Sequence, residues 1–528
     1  MAACFLAISN DRMAAFKIHL PYIYSIFQVK VPVFDGVHVS QDDEGQIMQL
    51  LRIAGLVLVL LASRAFAGDF EDGMKFVLSK DYAKAVVSFR KAAEAGNVDA
   101  QFNLGVMYAK GRGVPQDYQQ AVVWYRKAAD QGDAPAQSIL GFMHLKGQGV
   151  TQDYQQARTW YLKAAEKDYP VALYNLGVMY AKGQGVTLDY QQAMSWYLKA
   201  AELGHAPAQA ILGFMYLKGQ AVAQDDQQAA SWYLKAADQG YVDAQYALGV
   251  LYAKGRGVAQ SDREAASWYM KAAEQGNTDA QYNLGVAYAN GQGIAQDSQQ
   301  AASWYFKAAE QGNVRAQFKL GVMYARGRGI AKNEEEALAW YRKAAEQGYA
   351  PAQFNLGVMY ATGRGVAQDD HKAVSWYGKA AEQGDADAQY NMGVRYDDGR
   401  GVAKDAREAL SWYRKSAEQG YARAQYSLAV KYDNGKDVPQ DYAEALSWYR
   451  KAAEQGHPGA QTNLGVLYYK GNGVKQDFVE AEKWFSIAGK AGYEDAKKNS
   501  ELMAKLMTEE QAAEAQRQAS EWKQPQKN

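Results

Sequence analysis

The stretch NVDAQFNLGVMYAKGRGVPQDYQQAVVWYRKAADQG, Asn97 to Gly132, is one period of a chain that repeats every 36 residues without insertion or deletion. Tryptophans mark the beat at Trp124, Trp160, Trp196, Trp232, Trp268, Trp304, Trp340, Trp376, Trp412, Trp448 and Trp484. A Leu-Gly pair keeps nearly the same time, from Leu104-Gly105 through Leu140-Gly141 and Leu176-Gly177 to Leu464-Gly465. In the second half of the period Ala121, Trp124, Tyr125, Ala128 and Ala129 fall at i, i+3, i+4, i+7 and i+8, the stripe of an amphipathic helix. Asp117 is placed to cap its start, and Gly132 suits the left-handed residue beyond its end. In the first half Ala100, Leu104 and Tyr108 stand one turn apart, and Gly105 permits close approach of a second helix. Gly111-Arg112-Gly113 supplies the turn between the two, where positive φ is wanted.

One such hairpin buries too little to stand alone. A handful of large side chains contributes roughly 1.5–3 kcal/mol each, whereas ordering each residue costs about 1–2 kcal/mol in backbone entropy alone. Stacked hairpins share their faces, so stability propagates from neighbour to neighbour. The sequence therefore predicts eleven repeats over residues 97–492 between two atypical ends. Residues 70–96 form an N-terminal capping hairpin, a degenerate copy with Phe89 in the place of Tyr125 and Ser88 in the place of the tryptophan. Residues 493–522 form C-terminal capping helices: a polar copy begins at Ala496-Lys497-Lys498, and Thr508 with Gln511 makes a capping box. Residues 523–528 form a disordered tail. Repeats one and three share Asn-Leu-Gly-Val-Met-Tyr, while two and four share Ile139, Phe142 and Leu145 with Ile211, Phe214 and Leu217, which points to an ancestral duplication of a pair.

Ahead of the array, Ile53 to Ala62 is an apolar run ending in Ser63, Arg64 and Ala65-Phe66-Ala67. That is the pattern of a secretory signal cleaved after Ala67, and it is shorter than the ~20 apolar residues of a membrane span. The basic n-region appears only if translation starts at Met48, as Met48-Gln49-Leu50-Leu51-Arg52. Residues 1–47 end in acids (Asp42, Asp43, Glu44), the wrong sign. The expectation is therefore a wrongly assigned upstream extension over 1–47, a signal peptide over 48–67, and a protein that works after export, in the periplasm or secreted. The one cysteine, Cys4, lies in that extension, so neither a disulfide framework nor a lipid-attachment site is expected.

The residues quoted above resemble the Sel1-like repeat family, relatives of the tetratricopeptide repeat with a longer link between helices. The pattern Ala-x-x-x-Leu-Gly-x-x-Tyr, Gly-x-Gly-Val, Asp, Ala-x-x-Trp-x-x-Lys-Ala-Ala-x-x-Gly runs through most copies. Departures are Met392 for leucine, Ala429 for the Leu-Gly glycine, Ala221 and Asp437 for the second link glycine, and Phe485 for tyrosine. The resemblance implies an all-α fold, a right-handed α/α superhelix (solenoid) of helical hairpins. It also implies a protein–protein interaction scaffold or adaptor for partner proteins or extended peptides, not an enzyme. A cysteine-rich subgroup has penicillin-binding or β-lactamase-like properties; with no cysteine in the repeats, a cell-envelope enzyme of that kind is the disfavoured alternative.

Positions on the first helix that lie off its packing stripe are free for binding, and two columns qualify. One is mostly aromatic: Phe102, Tyr174, Tyr246, Tyr282, Phe318, Phe354, Tyr390 and Tyr426. The next residue is often asparagine: Asn103, Asn175, Asn283, Asn355, Asn391 and Asn463. An amide both donates and accepts, so a ladder of them suits the backbone of an extended peptide, and tetratricopeptide domains use asparagine at the corresponding place. The alternative is that the aromatics pack between repeats and the asparagines cap or are solvated. Charge also changes along the array, from Lys110, Lys146, Lys182, Lys218 and Lys254 to Asp397-Asp398 and Asp433-Asn434, as a solvated surface or a means of orienting a partner.

No chemistry is announced. Basic and acidic residues balance at 58 each, so no global field attracts nucleic acid or an anionic membrane; neither nucleic acid nor stable membrane insertion is expected. The recurring Gly-x-Gly lacks a preceding strand and a following Gly-Lys-Ser, so it reads as a turn. His144, His205, His371 and His457 have no partner at metal-ligand spacing and read as lone surface residues, with no metal site, cofactor or catalytic residue expected.

Overall fold

The computed structural model describes residues 68–523. The expected upstream extension, the signal peptide and residues 524–528 of the tail lie outside them. The described residues are all helix and connecting turn, in two compact bodies divided after Gln260. In each body the helices pair as hairpins, so the fold is the all-α hairpin array that the 36-residue period predicts.

The first full repeat sets the pattern. Its helices are Val98–Lys110 and Tyr118–Asp130. Asp117 caps the second through its carboxylate, which accepts from the Gln120 amide at 3.0 Å, and an Asp, Asn or Ser does the same in later repeats, as at Ser261 and Asn333. The first helix ends on Gly111 in the left-handed region at φ 63°. Gly132 likewise has φ 89°, as its position past the second helix requires.

The Leu-Gly pair and the Trp-Tyr pair are two halves of one contact. A Cβ on Gly105 would meet the Tyr125 ring at 2.7 Å, and Tyr125 is fully buried there. The same ring-on-glycine contact recurs down to Gly465 and Phe485, and in the capping copy with Gly73 and Phe89. A missing side chain lets the helices come this close, except in the tenth repeat, where Ala429 is fully buried in the same core cluster as the fully buried Tyr449. Gly285→Ala, against Tyr305 at the same distance, should therefore destabilise the C-terminal body by about 1–3 kcal/mol, the usual cost of overpacking. Urea denaturation followed by circular dichroism would measure it; an unchanged midpoint would show that the ring simply moves aside.

The second link glycine is doubly constrained. Gly257 has φ 71°, and a Cβ there would lie 1.8 Å from the Asp226 carbonyl oxygen, in the preceding second helix. Ala221 and Asp437, which stand in its place elsewhere, are held at φ 62° and 72°.

The first helix buries more than its apolar stripe suggests. Ala100 and Leu104 are fully buried, Gln101 and Met107 are buried beside them, and Tyr108 is only half-buried. Its hydroxyl accepts from Arg90 at 2.7 Å.

At both ends of the described residues aromatic rings pack against the neighbouring helices. Phe70 packs on Phe89 at 5.8 Å between centroids. At the other end the helices Glu494–Leu506 and Glu509–Glu521 follow, the second opened by the Thr508–Gln511 capping box. Trp522 meets Trp484 edge-on at 6.3 Å.

Candidate peptide-binding surface

The aromatic column faces the hairpin rather than open solvent. Phe102 is buried, and Tyr174, Tyr246, Tyr282, Phe318, Phe354, Tyr390 and Tyr426 are half-buried. Phe102 lies 5.7 Å from Tyr125, and the same centroid spacing recurs for Tyr174–Tyr197, Tyr282–Tyr305, Phe354–Tyr377 and Tyr390–Tyr413. The far side of several rings rests on the residue that precedes the next first helix: His205 on Tyr174, Tyr349 on Phe318, Tyr421 on Tyr390 and His457 on Tyr426. These rings join one repeat to the next and leave only an edge for a ligand.

All six asparagines of the second column are half-buried. Asn103 and Asn391 donate back to the carbonyls of Asp99 and Asp387, each at 2.8 Å, which leaves their side-chain oxygens open. Asn463 donates to the Tyr449 hydroxyl at 2.9 Å. Asn175, Asn283 and Asn355 make no side-chain hydrogen bond to the described residues, so both ends of each amide remain available. In the C-terminal body the column reads Asn283, Lys319, Asn355, Asn391, Ser427, Asn463, polar in every repeat.

A third column had a sequence signal that the apolar pattern hid. The glutamine after the invariant alanine is buried, and its amide nitrogen donates to the second helix before it, as Gln101 does to Ala93 O and Gln317 to Ala309 O. Its side-chain oxygen accepts from the glutamine at the end of its own second helix, Gln131 to Gln101 and Gln347 to Gln317, both at 2.8 Å. Each pair satisfies a buried polar group and ties three helices together. The Trp-x-x-Lys spacing has an equally local cause: the ammonium of Lys271 sits 3.6 Å above Trp268, and the pairing recurs along the array.

Two basic residues escaped notice in the sequence. Where other repeats bury methionine or leucine (Met323, Met359, Leu467), the ninth and tenth bury Arg395 and Lys431. Arg395 reaches Asp370 at 2.6 Å, and Lys431 reaches Asp397 at 2.6 Å and Asp437 at 2.8 Å. Asp433 accepts from the Tyr449 hydroxyl at 3.1 Å. The acidic run is therefore largely committed within the array: Asp397 and Asp433 serve internal partners, and Asp398 is exposed.

Three of the four histidines among the described residues are not surface residues. His371 is exposed, but His144 is buried, and His205 and His457 are partly buried helix caps. Burial leads in pushing all three pKa values down, that of His205 to about 4. Among the described residues no group of three or more His, Cys, Asp or Glu could hold a metal ion, and no helix is long and apolar enough to cross a membrane.

Glycine-locked helical hairpins, stacked through shared aromatics and buried glutamine pairs, define a repeat solenoid of the tetratricopeptide-like class. The Sel1 repeat pattern matches twelve consecutive stretches, from 70–97 and 98–133 through to 458–493, and the chain belongs to the Sel1 repeat family. The first of these covers the residues read from sequence as a cap. Among solved structures, the chain is similar to a protective antigen of uropathogenic Escherichia coli with an SLR fold. Identity is 40 %, covering 83 % of this chain and 94 % of that one, with a TM-score of 0.79. A Sel1 repeat protein of Oxalobacter formigenes is 36 % identical over 58 % of this chain and 88 % of its own, with a TM-score of 0.49. Comparison with curated proteins gave no match. The family is generally one of protein-interaction scaffolds.

Proposed function

We propose that the chain is an exported scaffold that holds a partner protein or extended peptide along the first helices of its C-terminal body. The observation that carries this reading is the unspent amides of Asn283 and Asn355, on equivalent faces of a column that stays polar through six repeats. A side-chain amide that neither donates nor accepts internally pairs with a peptide group of any sequence, which gives affinity without strict sequence demand. Asn103, Asn175, Asn391 and Asn463 extend the same chemistry. The aromatic residues Phe102, Tyr174, Tyr282, Phe354 and Tyr390 contribute by holding these helices in register and by lending a ring edge beside the asparagines. Export follows from the reading of residues 48–67, and the antigenic E. coli relative is in keeping with it.

Asn283→Ala combined with Asn355→Ala should weaken capture of the partner recovered from the exported fraction by tenfold or more. Far-ultraviolet circular dichroism and the thermal midpoint should stay as in the native chain, because neither amide supports the fold. Equal capture by both proteins would remove the column from consideration.

A further inference from the structure

The buried glutamine pair recurs along the array, from Gln131–Gln101 and Gln239–Gln209 to Gln455–Gln425. In the third repeat both partners are leucine, Leu173 and Leu203. Losing one glutamine would strand the other; losing both together exchanges a hydrogen bond for apolar surface. The result is an open groove of about 540 Å³ between the ends of the second helices Tyr154–Ala165 and Tyr190–Glu202. That volume falls within the ~300–1,000 Å³ of ordinary ligand sites.

Leu162, Ala165, Leu173, Trp196 and Leu203 make the apolar surface. Leu173 is its buried floor, and Leu203 is 47 % exposed at its lip. The Trp196 indole nitrogen is buried with no hydrogen-bond partner among the described residues. The rim is acidic: Glu166, Asp168 and Glu202 line it against the single cation Lys199. None of the three acids is ion-paired among the described residues, and Lys167 turns away to the Gly132 carbonyl, 2.5 Å distant. Asp168 also occupies φ 53°, where other repeats place glycine, a left-handed conformation that aspartate adopts more readily than most residues.

We infer that this groove, on the second helices and separate from the asparagine column, docks a basic-flanked apolar peptide segment: leucine or phenylalanine side chains on Leu173, Trp196 and Leu203, with lysine or arginine beside them facing Glu166, Asp168 and Glu202. The apolar floor supplies burial, and the unpaired carboxylates select the sign of the flanks. Acidic-flanked and uncharged segments of the same core are the occupants it discriminates against.

The test uses the full chain and fluorescein-labelled peptides with a Leu-Phe-Leu core, flanked by lysines, glutamates or serines, read by fluorescence polarisation at low salt. The lysine-flanked peptide should bind at least tenfold more tightly than the glutamate-flanked one. Leu173→Gln with Leu203→Gln reinstates the pair that other repeats carry, so it should fold and melt normally while losing tenfold or more of that binding. Glu166→Gln with Glu202→Gln should shrink the preference for lysine over glutamate flanks. The idea is overturned if the glutamine-restored chain binds as well as the native one, or if the native chain fails to distinguish the peptides. The Asn283, Asn355 variant should bind these peptides normally, which separates this groove from the column proposed above.

Discussion

Lys431→Ala should cost about 2–4 kcal/mol, whereas converting its whole surroundings to the pattern of an ordinary repeat should cost nothing. The ammonium is 10 % exposed and bridges Asp397 and Asp437, themselves 26 % and 22 % exposed. Burial opposes the charge, but the hydrogen bonds that the ammonium donates to both carboxylates, with their Coulomb attraction, together raise its pKa. Truncation removes the cation, leaves two half-buried carboxylates facing each other's space, and opens a cavity where other repeats pack methionine. Removing one partner of a buried ion pair typically costs about 3–5 kcal/mol, here discounted because water reaches the carboxylates. The triple change Lys431→Met, Asp397→Ala and Asp437→Gly reproduces the junction of the sixth and seventh repeats, with Met323, Ala289 and Gly329 at these places. Buried pairs replaced as a set by well-packed apolar groups are often neutral or gain about 1–4 kcal/mol. Tyr413, which also faces Asp397, would lose that neighbour. The buried Tyr125 hydroxyl already lacks a hydrogen-bond partner among the described residues, so the loss is tolerable. Urea midpoints for the two variants decide the matter: if both fall together, the pair stabilises the fold outright; if the single falls and the triple rises, the charges are kept for something other than stability.

What the sequence disclosed depended on how each feature meets water. Tryptophans, paired glycines and alanine stripes recur because packing leaves no choice, and from them the hairpins and their helix caps are legible. Gln101 was equally regular, yet a glutamine beside an apolar stripe reads as solvated until the carbonyl of Ala93 is found beneath it. Arg395 and Lys431 escaped notice for the same reason in reverse: a charge at one repeat looks like surface variation, and only the neighbouring aspartates show that it is buried. Leu173 and Leu203 lie 30 residues apart, so their joint replacement is invisible until the glutamine pairs elsewhere show that these positions touch. The asparagine column was found by its place on the helix, and the structure adds which amides are already spent. His205 and His457 were misplaced because a helix cap is half-buried, and the sequence does not distinguish His205 from an exposed loop residue.

Acidification from pH 7 to pH 5 should weaken the N-terminal body by about 2 kcal/mol through His205 alone. Its Nδ1 accepts from the Ala208 amide at 3.4 Å, and its ring lies 4.9 Å from that of Tyr174. A protonated ring cannot accept at Nδ1, so charging it releases the cap as well as burying a cation. Unfolded, the imidazole titrates near its ordinary 6.5; folded, burial holds it at about 4. Between those values the unfolded chain binds the extra proton, so stability is complete above about pH 6.5 and is lost as pH falls toward 4. The full drop amounts to about 3 kcal/mol at 1.36 kcal/mol per pKa unit. His144 adds to the same slope, its pKa lowered by burial and then by Arg126. In the C-terminal body His457, which caps Ala460 at 3.2 Å, acts alike. His205→Asn supplies the residue that caps the sixth repeat, where Asn277 accepts from Ala280 at 2.8 Å. That variant should match the native chain at pH 7 within about 1 kcal/mol and exceed it by about 2 kcal/mol at pH 5, in thermal melts across the range. Parallel pH profiles for the two proteins would rule His205 out as the source. Because His205 opens the helix Ala206–Lys218 two residues after Leu203, the proton that loosens this cap also disturbs the lip of the groove. Peptide binding there should weaken in acid, and His205→Asn should restore it.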